Sequence, residues 1–300
     1  MNIVRVLVAM GLVATLVAGL CGFLGPWPGD MITPFRLYLL AAALLALVIA
    51  VPMRRRWLIG MAGITVLLTG VPIIVRLMER PDLPLTAAGT PLSLVFSNVL
   101  CDNREYDKVI ALAKAQDSDI FAAAETTPEW LEHLQALKTQ YPYSFTPERL
   151  GNFGVAIYAK RPFTAYVYRV GRHRMALARA DFGDYILYVA HSMPPANSDL
   201  ADDNEAYLAD LAARMAMEHK PVALAGDLNA TLWSHDLAPL IRDRMQWPAG
   251  SGMAYSWPAP GSLLRIQIDH VLTTHARAGT YSVLPDVGSD HFPVRSEIWF

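Results

Sequence analysis

Three long apolar runs at the start of the chain constrain its fold more than any other feature. They cover residues 6–25, 35–51 and 57–75. Each approaches the length of about 20 residues that an α-helix needs to cross the hydrocarbon core of a bilayer. The sequence therefore predicts that residues 1–80 form a membrane anchor with three transmembrane helices. A cleaved signal peptide followed by two helices is the alternative, because Arg5 precedes the first run and Cys21 lies in a lipobox-like stretch.

The charges of the short loops predict the orientation of this anchor. Arg54, Arg55 and Arg56 lie between the second and third runs, whereas the hinge at residues 26–30 contains no lysine or arginine. Positively charged loops tend to stay in the cytoplasm. With an N-terminus inside, three spans place everything after residue 80 outside the cytoplasm. We therefore expect a multi-pass membrane protein, in a bacterium one of the inner membrane, where its remaining part would face the periplasm.

Composition separates the anchor from the rest of the chain. Hydrophobic residues make up 53% of the whole and charged residues only 17%, with a net charge of −2. Residues 1–84 contain seven Lys/Arg and three Asp/Glu, a balance of +4, and residues 85–300 contain eighteen and twenty-four, a balance of −6. All eight histidines lie in the second part. Cys101 is the only cysteine there, so a disulfide within that part is excluded.

The segment 81–91 is rich in proline and is predicted to be a linker, and residues 92–300 are long enough for one domain with a large core. Short β-type runs alternate with amphipathic helices in two blocks, which indicates an α+β sandwich. The predicted helices are 106–116, 127–140 and 199–218. The predicted strands are 93–99, 120–124, 154–159, 164–168, 176–181, 185–190, 222–225, 266–273 and 294–299.

Polar side chains stand at the ends of these predicted strands. Their oxygen-rich character, without cysteine, suits a hard cation such as Mg²⁺ or Mn²⁺ rather than structural zinc. Histidines beside carboxylates suit proton transfer near neutral pH. Each residue alone is compatible with an ordinary turn, and only the ordered set argues for a site. The set is Asn98, Glu125, His191, Asp227, Asn229, Asp269, Asp290 and His291.

These motifs resemble those of the endonuclease/exonuclease/phosphatase superfamily, which includes deoxyribonuclease I. The strongest parts are Gly226-Asp-Leu-Asn229 and Ser289-Asp-His291, and the similarity covers residues 91–300, with most likeness to bacterial membrane-anchored members. The resemblance implies a four-layer αββα sandwich with the site at the sheet edges.

The resemblance also implies roles for the residues. Asn98 and Glu125 would hold a divalent cation, with Asp290 as a further or water-mediated ligand. Asp269 would orient His291, which activates or positions water, and Asp227 is the alternative group for that task. Asn229 would donate to the phosphoryl oxygen, and His191 would stabilise the phosphate or protonate the leaving oxygen. Asn152 is a candidate for substrate binding, whereas His270 is expected to point to the opposite face of its strand.

The implied reaction is metal-dependent hydrolysis of a phosphate ester, with a phosphodiester preferred. A lipid headgroup, a small phosphodiester and a nucleic acid remain possible substrates. Nuclease activity is the second interpretation, because the phosphates of a nucleic-acid backbone favour a basic protein surface and residues 85–300 carry a net negative charge. A catalytically silent binding domain is the third interpretation, which the complete polar set disfavours. The bilayer is the only other partner that the sequence indicates.

Overall fold

The chain begins with helices that precede every strand. The computed structural model describes residues 2–23, 26–80, 82–147, 153–242 and 245–300. Within them the first helices are α1 (Asn2–Cys21), α2 (Pro26–Ile32), α3 (Arg36–Ala50) and α4 (Arg56–Glu79), with a 3-10 turn at Thr33–Phe35.

The three long helices pack against one another through small and aliphatic side chains. Leu12 of α1, Ala50 of α3 and Leu58 and Ala62 of α4 form a buried cluster. The buried Thr69 hydroxyl donates to the Thr65 carbonyl oxygen of its own helix at 2.8 Å, so α4 buries this polar group with a partner. Trp27–Ala50 and Arg56–Glu79 are long and apolar enough to cross a membrane, and Val6–Cys21 is a shorter apolar helix. The three predicted spans therefore correspond to helices, while their crossing of a membrane stays a prediction.

The hinge expected at residues 26–30 differs from the prediction, because it is largely helical. Trp27 has extended dihedrals (φ −110°, ψ 134°), as expected for a residue before proline, and the helical turns follow from Pro28. This short helix α2 packs against a later helix of the second part, α7 (Ser198–Ala216). The predicted hinge is thus part of the contact between the N-terminal helices and the domain.

Two β-sheets form the second part. The first has six strands in the order β10-β11-β1-β2-β4-β3, and the second has five in the order β5-β6-β7-β8-β9. The strands are β1 (Leu92–Asn98), β2 (Ile120–Ala124), β3 (Tyr143–Phe145), β4 (Val155–Ala159), β5 (Thr164–Val170), β6 (Met175–Asp181), β7 (Ile186–His191), β8 (Val222–Asp227), β9 (Asp269–Thr274), β10 (Ala278–Val283) and β11 (Val294–Trp299).

The sheets pack face to face, and helices cover both outer faces. Along β1, Phe96 lies in the core between the sheets, whereas Val95 faces the first helical layer, as the two-residue period of a strand requires. That layer contains α5 (Tyr106–Gln116) and α6 (Pro128–His133), and the opposite layer contains α7 and α8 (Ala238–Arg242). The predicted four-layer αββα sandwich, preceded by apolar helices, is confirmed.

Residues 81–91 connect the anchor to this sandwich without separating the two. Leu83 is buried in the core between the sheets, and its amide donates to the Trp247 carbonyl oxygen at 3.0 Å. The Gly279 amide donates to the Pro84 carbonyl oxygen at 2.9 Å. The segment predicted as a linker is therefore attached to the domain at Leu83 and Pro84, while most of its other described residues are exposed.

The N-terminal helices also share core contacts with the domain. Ile73 of α4 belongs to the same buried cluster as residues of β7, β8 and α7. The Tyr38 hydroxyl of α3 donates to the Arg265 carbonyl oxygen at 2.7 Å, and Arg80 donates to the Ser251 carbonyl oxygen at 2.9 Å. The ends of α3 and α4 that face the sandwich are thus fixed to it.

Candidate active site

The strand ends bring most of the predicted polar residues to one point. In the parallel pairs, Asn98 lies opposite Ala124, which precedes Glu125, and His191 lies opposite Asp227. In the antiparallel pair β8–β9, Asp227 lies opposite Asp269. This register places side chains from both sheets at the same end of the sandwich, so residues that are far apart in sequence become neighbours.

Asn98 lies at the centre of the cluster. Its amide nitrogen donates to Glu125 Oε1 at 2.9 Å and to Asp227 Oδ2 at 3.0 Å, and it lies 3.5 Å from His291 Nε2. Glu125 is fixed from the other side, because the Cys101 amide donates to its Oε2 at 3.1 Å. The structure thus brings together Asn98 and Glu125, which the sequence paired as cation ligands.

Two site residues adopt strained backbone conformations. Glu125 has φ +57° and Asn229 has φ +46°, in the left-handed region that costs energy for residues with a Cβ. Such strain is concentrated at functional sites, where the surrounding fold holds it. At Asn229 the turn aims the amide nitrogen at the Ser192 carbonyl oxygen, at 3.0 Å, and its backbone amide donates to Asp227 Oδ1 at 2.9 Å.

His291 and Asp269 form a buried pair. The distance between His291 Nδ1 and Asp269 Oδ2 is 2.8 Å, which leaves Nε2 directed at Asp227 Oδ2, 3.6 Å away. Ser289 fixes the preceding turn, because its hydroxyl donates to the Asn98 carbonyl oxygen at 2.8 Å and accepts from the His291 amide at 3.1 Å. The orientation of the imidazole is therefore set by neighbours on both sides.

His191 faces the same centre from the second sheet. Its Nε2 lies 3.8 Å from Asp227 Oδ2 and 3.9 Å from Glu125 Oε1, and its ring lies 5.1 Å from the ring of Phe153. Asp290 lies at the opening: Trp257 Nε1 donates to its Oδ2 at 3.2 Å, and its Oδ1 is 4.0 Å from His291 Nε2. The two histidines thus flank Asp227 from different directions.

Burial and charge shift the pKa values of this cluster. Burial raises the pKa of Asp227 to about 7, against the opposing effect of His291. Burial disfavours the charged imidazole of His291, but the Asp269 and Asp227 carboxylates outweigh it and raise its pKa to about 10. Opposite charges at short range favour the ionised forms of both partners.

The composition of the cluster fits a divalent cation. The carboxyl groups of Glu125, Asp227, Asp269 and Asp290 outnumber the two imidazoles. Among the described side chains, no group donates to the buried Asp269 Oδ1 or Asp290 Oδ1. Buried carboxylate oxygens without donors favour a bound cation, and a set in which carboxylate oxygens predominate suits Mg²⁺ or Mn²⁺. One oxygen or nitrogen from each of Asp227, Asp269 and His291 also lies within 4.8 Å of the others.

The remaining predicted positions have different outcomes. His270 points away from the site: its Nε2 lies 2.9 Å from the Ala230 carbonyl oxygen, and burial lowers its pKa to about 4, so it is a neutral core histidine. Asn152 lies outside the described residues.

Ser289, Trp257 and Ser256 each hold a site residue in place, a role that the sequence alone did not identify for any of them. Ser256 accepts from the Asp269 amide at 3.2 Å, and Trp257 holds Asp290. Ser289 was part of a recognised motif, so its place between a glycine and Asp-His was the available signal. No local signal points to Ser256 or Trp257, because their contacts join residues more than ten positions apart.

Comparisons with known proteins agree with this architecture. Residues 95–291 match the model of the Endonuclease/Exonuclease/phosphatase family. No curated protein matches the chain. A mutant of the beta toxin from Staphylococcus aureus with bound magnesium ions has the same fold at 15% identity, with a TM-score of 0.57 over 69% of this chain and 99% of that chain.

Two further solved structures are similar. TDP2 from D. rerio, complexed with a single-strand DNA product, gives a TM-score of 0.55 at 16% identity over 71% of this chain and 100% of that chain. SmcL gives a TM-score of 0.56 at 17% identity over 69% of this chain and 99% of that chain. At these identities the likeness shows a shared fold alone.

Proposed function

The chain belongs to the Endonuclease/Exonuclease/phosphatase family, and we propose that it is a divalent-metal-dependent hydrolase of phosphate esters, with phosphodiesters as its preferred substrates. Membership confirms the family resemblance of the sequence motifs. The observation that carries the proposal is the cluster around Asn98, where Glu125, Asp227 and His291 meet within 3.5 Å of one amide group.

In this proposal Glu125, Asn98 and Asp290 hold the cation. When bound, it supplies positive charge that neutralises phosphate oxygens and the charge developing on them. Without such charge, an anionic phosphate would be repelled by the excess of carboxylates. The acidic cluster and its preference for a cation therefore support the same reaction class.

Asp227 and His291 hold the attacking water on one side. Asp269 fixes the tautomer of His291 through the 2.8 Å contact at Nδ1, so that Nε2 faces the reaction centre. The proton released by the water passes to the Asp227–His291 pair, whose facing atoms are 3.6 Å apart. A coupled pair of this kind titrates as a unit.

Asn229 and His191 act on the phosphate from the other side. One hydrogen of the Asn229 amide is used by the Ser192 carbonyl oxygen at 3.0 Å, which orients the group and leaves the second hydrogen to donate to a phosphoryl oxygen. His191 stabilises the phosphate or protonates the leaving oxygen. The substrate-binding role of Asn152 belongs to the same proposal.

We further propose that residues 1–80 anchor the enzyme in the bacterial inner membrane by three helices, with residues 92–300 as the catalytic domain in the periplasm. The outer faces of the helices expose large apolar side chains, such as Met10, Val48 and Leu67, which favour lipid over water. The end of α3 and the end of α4 that contact the domain lie on the same side of the helices, as a domain on one side of a membrane requires.

The test is a substrate panel with the full chain in detergent and Mg²⁺ or Mn²⁺. The panel contains a nitrophenyl phosphodiester, a nitrophenyl phosphomonoester, DNA, RNA and phospholipid. We expect hydrolysis of the phosphodiester that is lost on chelation of the metal. Hydrolysis of nucleic acid alone would establish the nuclease instead, and no turnover of any substrate would establish the silent binding domain.

A further inference from the structure

Exposed apolar side chains are concentrated beside the opening of the site. We name residues 253–264 the rim segment. Among the described residues from 82 onward, eight large hydrophobic side chains are exposed, and four of them lie in the rim segment. Their exposed fractions are 55% for Met253, 39% for Tyr255, 96% for Leu263 and 52% for Leu264. Such a concentration on a water-soluble surface indicates a contact with an apolar partner.

The exposure does not arise from a loose loop, because both sides of the rim segment are fixed. The Gly252 and Ala254 amides donate to Gln267 Oε1 at 2.7 and 3.1 Å. The Trp257 amide donates to the Ile266 carbonyl oxygen at 3.0 Å, and the Ile266 amide returns a bond at 2.6 Å. Leu263 and Leu264 are therefore exposed on a segment whose two sides are held by hydrogen bonds.

The rim segment is tied to the first turn of α3. The Tyr38 hydroxyl donates to the Arg265 carbonyl oxygen at 2.7 Å and accepts from the Arg265 amide at 2.9 Å. Tyr38 is the third residue of α3, at the end that faces the domain. Tyrosine is enriched at the level of lipid headgroups. If α3 spans the bilayer, Leu263 and Leu264 lie close to the membrane surface.

The rim segment is also tied to the catalytic cluster. The Trp257 ring nitrogen donates to Asp290 Oδ2 at 3.2 Å, and the Ala259 amide donates to the Asp290 carbonyl oxygen at 2.7 Å. The Phe292 amide, next to His291, donates to the Ser256 carbonyl oxygen at 2.8 Å. One short segment therefore joins the membrane end of α3 to the opening of the site.

We propose that the rim segment contacts the lipid bilayer through Leu263 and Leu264, and that the site takes its phosphoester from an amphipathic lipid held in that bilayer. This inference rests on the proposed phosphoester hydrolase activity. The segment contains no lysine or arginine, and the neighbouring Arg265 lies 5.0 Å from the centre of the Phe292 ring. Two projecting leucines without basic neighbours fit acyl chains and do not fit a nucleic-acid backbone.

The test compares two substrates that share one reacting bond. Methyl nitrophenyl phosphate is soluble, and hexadecyl nitrophenyl phosphate partitions into vesicles. With the full chain in phosphatidylcholine vesicles, we expect the Leu263→Ser/Leu264→Ser variant to lose about tenfold in kcat/KM for the long-chain ester and to keep its kcat/KM for the methyl ester. Leu85→Ser and Met217→Ser, which replace exposed side chains elsewhere, are the matched controls and should change neither value.

A second measurement reports the position of the rim segment directly. An environment-sensitive fluorophore on Leu263→Cys, in a Cys21→Ser background, should shift to the blue in vesicles, whereas the same probe on Met217→Cys should not; Cys101 is buried. An unchanged ratio of the two esters in the leucine variant, or a fluorophore that stays in water, overturns the inference. Dimerisation of the protein through Leu263 would also overturn the inference. Failure of the wild type to hydrolyse either ester overturns the proposed function itself.

Discussion

Burial and neighbouring negative charges have opposite effects on the protonation of His291. The ring is almost fully buried, which opposes a positive charge, yet Asp269 at 2.8 Å and Asp227 at 3.6 Å favour it. Asp269 acts through the nitrogen that faces away from the reaction centre. It is therefore a positioning residue, and its loss should affect the reaction through the orientation and charge of the imidazole.

Replacing Asp269 tests this arrangement. We expect Asp269→Asn to lower kcat by about 10²- to 10⁴-fold with little change in KM, because the phosphate contacts remain while His291 loses its partner. The pKa that the pH profile of kcat reports for His291 should fall, since the Asp269 carboxylate no longer raises it. Steady-state kinetics across pH measures both. Asp199→Asn, an exposed carboxylate on α7, should behave as the wild type; an unchanged pH profile in Asp269→Asn would contradict the assigned role.

Most residues of the cluster could be predicted from the sequence, because the order of the motifs along the chain identifies them as members of one site. The structure brings together Asn98, Glu125, His191, Asp227, Asp269 and His291 around one point. Their roles stay predictions until tested. Trp257 could not be found in this way, since an indole gives no local sign of whether it fills a core or holds a carboxylate such as Asp290.

At the scale of elements, the close approach of β7 and β8 determines where Asp227 lies. Gly226 lies opposite Ala190, and a Cβ at position 226 would collide with the Ala190 carbonyl oxygen. The glycine therefore permits the parallel pairing that puts His191 opposite Asp227. Position 226 therefore requires a residue without a Cβ, because it pairs with Ala190 directly before the site residues His191 and Asp227.

Gly226→Ala should therefore destabilise the domain and displace the site. We expect a loss of about 2–4 kcal/mol in the free energy of unfolding and a strong loss of activity, because the neighbour is backbone that has no room to move. Gly63→Ala in α4, where a Cβ would meet nothing within 4 Å, is the control and should keep or raise the melting temperature. Thermal melts of the full chain in detergent would refute the steric account if the two variants behaved alike.

The elements that sequence reasoning missed or misjudged share a cause. β3 (Tyr143–Phe145) and β10 (Ala278–Val283) are edge strands, and α8 (Ala238–Arg242) is a single short turn, so none carries a long apolar pattern. The strand expected at residues 266–273 begins at Asp269, because Ile266 pairs instead with Trp257. The helix expected to reach residue 140 ends at His133 and continues as a 3-10 turn. Tertiary pairing decided these boundaries.

At the scale of the whole molecule, the N-terminal helices and the sandwich domain meet at a pair of buried carboxyl groups. Asp30 of α2 and Asp236, just before α8, lie close enough for their charges to interact, and their four buried oxygens have no hydrogen-bond partner among the described residues. Burial, together with the negative charges of Asp30 and Glu205, raises the pKa of Asp236 to about 8. The protonated form of Asp236 therefore stabilises the contact.

This contact predicts a pH-dependent stability. The folded pKa of about 8 lies above the unfolded value of about 3.9, so the contribution of Asp236 is complete below about pH 4 and declines as pH rises towards 8. Asp236→Asn should make the free energy of unfolding fall less steeply with pH, by up to about 1.4 kcal/mol per pH unit. Melting temperatures of the full chain between pH 5 and 8 measure the effect. Asp202→Asn, exposed on α7, is the control, and equal slopes in wild type and Asp236→Asn would contradict the interpretation.

The most direct test of the proposed activity is a Mg²⁺ titration of phosphodiester hydrolysis by the full chain, with Glu125→Gln and Glu129→Gln compared with the wild type. Glu129 is exposed on α6 and serves as the matched control. We predict no turnover in chelator, a Glu125→Gln variant that needs at least about 10- to 100-fold more Mg²⁺, and a Glu129→Gln variant like the wild type. Turnover that persists in chelator, or a titration that Glu125→Gln leaves unchanged, would contradict the account.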